Sequence, residues 1–315
     1  MSAATIASVP TAITAFVGSN CDLVDAAVRD FADHGGTQHE TLATLDALEG
    51  VDLFNLLCVL PEESGGDVAP EVWQQALQIC VRRRAMLIVD PPAAWTDAAA
   101  AAASVTVLGI TGEDARNAAL YFPRGADRLA CGAIAGVFAR TDAARSVWKA
   151  PAGVEATLNF ALQHPLNDND TRVLAGAGIN SLRTFPVYGT VIWGARTMRG
   201  SDALADEYKY IPVRRLALHI EESLLRGLAW TMSEPNDARL WLQIRQSAEM
   251  FLIDLWRAGA FQGATPGAAF SVRCDASTTT PTDIEQGIVN VTIGFAPLRP
   301  AEFVVLYIRV LAASA

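Results

Sequence analysis

Two short apolar runs, each cut off by proline and joined by an amphipathic helix, restrict this chain more than any other feature. Residues 53–60 are apolar almost throughout and stop at Pro61; residues 86–89 are apolar and stop at Asp90-Pro91-Pro92. Apolar runs of four to eight residues between turn formers fit strands buried on both faces, as in a parallel sheet. Between them, residues 70–84 put Val72, Ala76, Ile79 and Cys80 on one helical face. Strand, helix, strand in that order predicts a three-layer α/β portion with a mostly parallel sheet. Residues 105–110 read as a weaker third strand, and the apolar stretch 117–122 ends at Pro123. Upstream, residues 22–34 and 41–49 carry helical spacing, and Gly35-Gly36 stops the first.

Glycine and proline thicken between Gly125 and Gly153, which reads as a loop-rich junction with a domain boundary near residues 148–153. Beyond it, residues 171–177 predict a short helix, and 180–185 and 190–196 predict strands around Pro186. Two long helices follow. The first, 213–231, aligns Val213, Leu216, Ile220, Leu224 and Leu228 in one stripe and sets Glu222 four residues before Arg226 as a favourable pair. The second has Asn236 as its expected N-cap and Asp237 in its first turn. It turns Leu240, Ile244, Ala248, Phe251 and Leu255 inward and stops at Gly259. Residues 270–274, 288–295 and 303–310 close the chain as strands, and no internal repeat is visible.

At 315 residues, 51% hydrophobic and 18% charged, the chain holds ample core for one large or two ordinary domains. Its mean hydropathy of +0.24 suits a protein that buries surface against copies of itself. A net charge of −10 argues against a nucleic-acid partner. The densest basic run, Arg82-Arg83-Arg84, sits among apolar neighbours and reads as a helix C-terminus answering the macrodipole. Cys21, Cys58, Cys80, Cys131 and Cys274 are odd in number and scattered, a pattern of reduced thiols in a cytosolic protein. No signal-peptide pattern opens the chain, and the run at 98–103 is too short to span a bilayer, so no membrane insertion is expected.

Catalytic signals are weak. Asp90-Pro91-Pro92 resembles the catalytic loop of amino-methyltransferases, but Ala93 and Ala94 stand where an aromatic residue would stack, and no glycine-rich cofactor loop follows the first strand. An enzyme on a doubly wound sheet would have only Glu62, Glu63 and Asp90 at strand C-termini. His34, His39, His164 and His219 lack partners at metal-ligand spacing. Glu221 and Glu222 diverge by about 100° on a helix and cannot converge on one substrate. Neither cofactor nor metal is expected. Trp193, Trp230, Trp241 and Trp256 read as core packing or as anchors between subunits.

Several longer segments carry a resemblance. They are Arg183-Thr-Phe-Pro-Val-Tyr-Gly-Thr-Val-Ile-Trp-Gly-Ala-Arg-Thr197, Glu234-Pro-Asn-Asp237, and Pro297-Leu-Arg-Pro-Ala-Glu-Phe-Val-Val-Leu306. The stretches at 6–18, 51–59, 85–92, 135–142 and 147–153 extend it, in order, over most of the chain. The sequence resembles contractile tail sheath proteins, the family of phage tails, R-type pyocins and extracellular injection systems. Two departures stand out. Only five residues precede the opening strand where family members carry an arm, so the chain reads as a pared-down or arm-trimmed member. The strand expected after Gly35-Gly36 is missing.

The resemblance implies an α/β (α+β overall) protein. A three-layer α/β portion would precede a C-terminal assembly domain with two long helices and a terminal β-sheet completed by neighbouring subunits. The expected division is an opening segment at 1–19, an α/β sheath domain at 20–150 and an assembly domain at 151–315. No catalysis is implied. Expected partners are copies of itself in stacked hexameric rings, an inner tube protein, and baseplate and terminator proteins. Assembly in the cytoplasm would precede incorporation into a virion or released particle. A non-contractile end ring or terminator is the alternative. An unprotected edge recruits strands, so Val289, Val291, Ile293, Phe303, Val305, Tyr307 and Arg309 are the candidates for augmentation between subunits. Arg214, Arg215, Glu221, Glu222 and Arg226, with Arg239 and Arg245 on the second helix, are the candidates to face the tube.

Overall fold

The computed structural model describes residues 13–16, 45, 48–61, 65–298 and 304–311, with the backbone alone at 13–16 and 304–307. The chain divides into two compact units after Arg215.

In the first unit the elements run β1 (Ile13–Phe16), β2 (Leu56–Val59), α1 (Pro70–Arg82), β3 (Met86–Val89), α2 (Ala98–Ser104), β4 (Ala118–Phe122), α3 (Cys131–Arg145), β5 (Thr157–Leu158), α4 (Asp168–Gly176), β6 (Ile179–Phe185) and β7 (Gly189–Trp193). They build a seven-stranded sheet in the order β1-β2-β3-β4-β6-β7-β5. Strands β2, β3, β4 and β6 are parallel, and β1, β7 and β5 pair antiparallel at its edges. Every residue of β2, β3 and β4 is buried, because helices cover both faces. Leu57, Val59, Leu87, Val89, Leu120 and Phe122 pack with Val72, Trp73 and Ala76 of α1. The alternate residues Cys58, Met86, Ile88, Ala119 and Tyr121 pack with Ile134, Ala135 and Phe138 of α3. The three layers expected from the two apolar runs are present.

Three expectations give way here. Residues 105–110 form a 3-10 turn, Val105–Leu108, closed by Gly109 at φ 72, with Val107 facing solvent. The third parallel strand is β4 instead. The glycine-rich stretch after Gly125 holds a 15-residue helix, α3. Its first nine residues, Gly132 and Gly136 included, are almost all buried, so they show no amphipathic period to read. The divide near 150 falls inside the first unit, because β5, β6 and β7 join its sheet.

The Trp193-Gly-Ala-Arg-Thr197 segment organises the loop that follows β7. A Cβ at Gly194 would stand 2.9 Å from the Asn180 side chain, so only glycine permits the approach. Asn180 then donates to the Arg196 carbonyl at 2.7 Å and accepts from its N–H at 2.7 Å. The Thr197 hydroxyl donates to the Tyr208 carbonyl at 2.8 Å. Asp206, its side chain almost wholly buried, accepts from Arg116 Nε and Arg199 Nε at 3.0 Å each and from the Tyr208 N–H at 2.9 Å.

The helix α5 (Ile211–Gly227) carries the chain into the second unit. There follow a 3-10 turn (Ala229–Ser233), α6 (Ala238–Arg257), α7 (Pro266–Ala269), β8 (Phe270–Arg273), α8 (Pro281–Glu285), β9 (Ile288–Phe295) and β10 (Val304–Leu311). The N-cap of α6 is Asp237, whose carboxylate accepts from the N–H groups of Arg239 and Leu240 at 2.9 Å, and not the expected Asn236. Asn236 is occupied elsewhere: it accepts from Trp241 Nε1 at 2.8 Å and donates to the Ile288 carbonyl at 3.0 Å. Leu240, Ile244, Ala248 and Leu255 are buried as expected, with Leu252 rather than Phe251 filling the stripe, and Gly259 at φ 83 ends the helix.

Removing the Asp206 carboxylate takes the nearest acceptor from two mostly shielded guanidinium groups and leaves Arg116 only the looser pairs to Glu207 at 3.9 Å and Glu113 at 4.0 Å. We expect Asp206→Ala to lower the unfolding free energy by about 3 kcal/mol, read from denaturant midpoints. A loss under about 1 kcal/mol, the range of an exposed pair, would show that the loop is held by other contacts.

Candidate assembly surface

The second unit's sheet has the order β10-β9-β8, all antiparallel. Val289, Val291, Ile293 and Phe295 of β9 are buried, and the Phe295 ring stands 5.7 Å from that of Phe261, which also meets Phe270 at 6.1 Å. The β-branched and aromatic residues that mark β9 as a strand thus also supply the core beneath it.

Backbone direction alternates along an antiparallel strand, so each residue sends both its N–H and its C=O to one side. The Asn290 N–H donates to Thr279 Oγ1 at 3.1 Å, and the Ile288 carbonyl accepts from Asn236. Ile288 and Asn290 therefore face away from β10, and Val289, Val291, Ile293 and Phe295 face it. By the register, Val304, Leu306, Ile308 and Val310 bond to β9, while Val305, Tyr307, Arg309 and Leu311 present their backbone outward. The Leu311 carbonyl is the exception at the end of this row. The buried Thr231 hydroxyl reaches it at 2.8 Å.

The strand residues expected to join subunits are thereby sorted. Val305, Tyr307 and Arg309 lie on an edge strand with outward backbone groups, and among the described residues no strand pairs there. Val289, Val291 and Ile293 do not: they sit on the central strand, with backbone groups turned to β10 and side chains in the core. Phe303 lies outside the described residues. Sequence alternation marks a strand, but not whether it becomes a central or an edge strand.

The charges expected to face a tube do not form one group. Arg215 is 6% exposed, donates to both oxygens of Asp142 at 2.7 and 2.5 Å, and lies over the Phe138 ring. Arg214 donates to Asn117 Oδ1 at 2.9 Å and stacks on Tyr208. Both knit the first unit. Farther along α5, Glu222 and Arg226 form the expected i,i+4 pair at 2.6 Å, with Glu221 beside them half-buried. Arg245 pairs with Glu249 at 3.9 Å, and Arg239 is exposed.

At the C-terminal ends of the first unit's strands, Asp90 is buried and accepts from the N–H groups of Ala130 and Cys131 at 2.9 and 3.2 Å, capping the start of α3. Burial raises its pKa above the usual 3.8, opposed by these bonds and by Arg124. Arg124 donates to the Pro91 carbonyl at 2.6 Å, to the carbonyls of Gly65 and Gly66, and to Asp67. These contacts hold the proline loop. Glu62 and Glu63 lie outside the described residues. Among the described residues no group of three or more His, Cys, Asp or Glu could hold a metal ion, and no helix is long and apolar enough to cross a membrane. Cys58, Cys80, Cys131 and Cys274 are free and buried; burial pushes the thiol of Cys80 up and that of Cys274 to about 12, while a hydrogen bond with Cys58, and then burial, raise that of Cys131.

Comparison with known proteins places both units. Residues 34–198 match the phage tail sheath protein central domain, and residues 205–310 match the phage tail sheath C-terminal domain. No curated protein sequence matches. Among solved structures, a chain of the sheath complex of an extracellular contractile injection system (PVC), in the contracted state, is 28% identical with a TM-score of 0.70, over 92% of this chain and 80% of that one. A chain of the contracted anti-feeding prophage baseplate is 26% identical with a TM-score of 0.69, over 94% and 87%. A chain of the contracted helical sheath of the same particle is 26% identical with a TM-score of 0.64, over 87% and 74%.

Because the Asp90 pKa is raised, the folded state holds that proton more tightly than the unfolded chain does. The resulting stability is present in full below the unfolded value and is lost as pH rises through the folded one. Measured against Asp90→Asn, the wild type should therefore lose relative stability on going from about pH 4 to pH 7. A wild-type advantage that grows with pH would mean that the helix amides and Arg124 outweigh burial.

Proposed function

We propose, from the premise that this chain belongs to the phage tail sheath family, that it is a structural subunit of a contractile sheath. Copies would stack as hexameric rings around an inner tube, and contraction would drive that tube into a target cell. The observation that carries this reading is the outward backbone row of β10 in a unit matching the family's C-terminal domain. An extended segment from a neighbour would complete the sheet there by β-augmentation. Such a ladder can persist while subunits rotate, so contraction need not break the mesh.

Further partners in this reading are the inner tube, a baseplate and a terminator. Assembly would occur in the cytoplasm, before release within a virion or an extracellular particle. The role is mechanical, without cofactor or reaction, and Asp90 serves to cap a helix. A second reading, a non-contractile end ring, draws support from the likeness to chains found in baseplate complexes as well as in helical sheaths. Electron micrographs separate the two, since one gives tubes and the other single rings.

Deleting residues 303–315 should abolish polymers of the purified protein, as seen by negative-stain microscopy and sedimentation. Normal tubes from the truncated chain would remove β10 from assembly.

The tube contact should be polar, since an apolar seam would cost about 25 cal/mol for each Å² re-exposed on sliding, in every ring. With Arg214 and Arg215 engaged inside the first unit, the candidates narrow to Glu221, Glu222, Arg226, Arg239 and Arg245. Co-assembly with purified tube should weaken several-fold from low salt to 0.5 M, where the Debye length falls well below about 8 Å. Glu221→Lys with Glu222→Lys should change it further. Indifference to both would place the tube contact on another surface.

A further inference from the structure

We draw no further inference here: the strongest candidate, the exposed aromatic face of the β6–β7 hairpin, where the Trp193 ring stands 5.0 Å from that of Phe185 and Val187 and Tyr188 face solvent, carries nothing because nothing in the structure shows what covers it.

Discussion

A backbone amide or carbonyl taken out of water must meet a partner, and most of what is specific in this chain follows from where those partners lie. Leaving one unmet costs on the order of 1–3 kcal/mol, comparable with burying a whole apolar side chain. In the first unit the central strands meet the demand with one another, and side chains finish the borders. Asp90 answers the first amides of α3, Asn117 answers the Ala85 carbonyl at 2.9 Å, and Asn180 fastens β6 to the segment after β7. In the second unit Asn236, Thr279 and Thr231 do the same around β9 and β10. Among the described residues these side chains leave a short row on one strand without a strand partner, and that row is where the family reading would place a neighbour.

The central strands were legible because they are buried on both faces. A run such as Met86–Val89 has no solvent side to interrupt it, and the proline after it admits no continuation. Strand β9 was equally plain, since its eight residues include no strong breaker apart from Gly294. The long α5 and α6 showed themselves through polar faces that set off an apolar stripe. Burial also hid α3: with its first half enclosed, there was no polar face to give a period, and its glycines looked like loop. The apolar stretch at 105–110 failed for the opposite reason. It has the composition of a strand, but it finds no neighbour to pair with and coils into a single turn.

The candidate surface was only half readable. That the end of the chain would form strands followed from composition, yet central and edge positions are decided by pairing, which composition does not encode. Val289 and Tyr307 look alike in sequence and differ wholly in role. Charges were harder still. Arg215 and Arg226 share a helix and a charge, but Asp142, seventy-three residues back in the chain, absorbs the first. Thr231 gave no signal at all, because its meaning depends on a carbonyl eighty residues downstream.

The four buried cysteines bear on how such a protein ages. Sulfur attacks oxidants and disulfides as thiolate; the surroundings of Cys80, Cys131 and Cys274 favour the protonated thiol, and all four sulfurs are shut away from reagents. Particles that carry many copies of one subunit side by side multiply every reactive group on it. With these sulfurs silent, crowding and exposure to air do not become covalent cross-links through them. If the chain serves as proposed, in a particle that waits loaded and fires once, these four sulfurs leave its shelf life to noncovalent contacts rather than to slow oxidation.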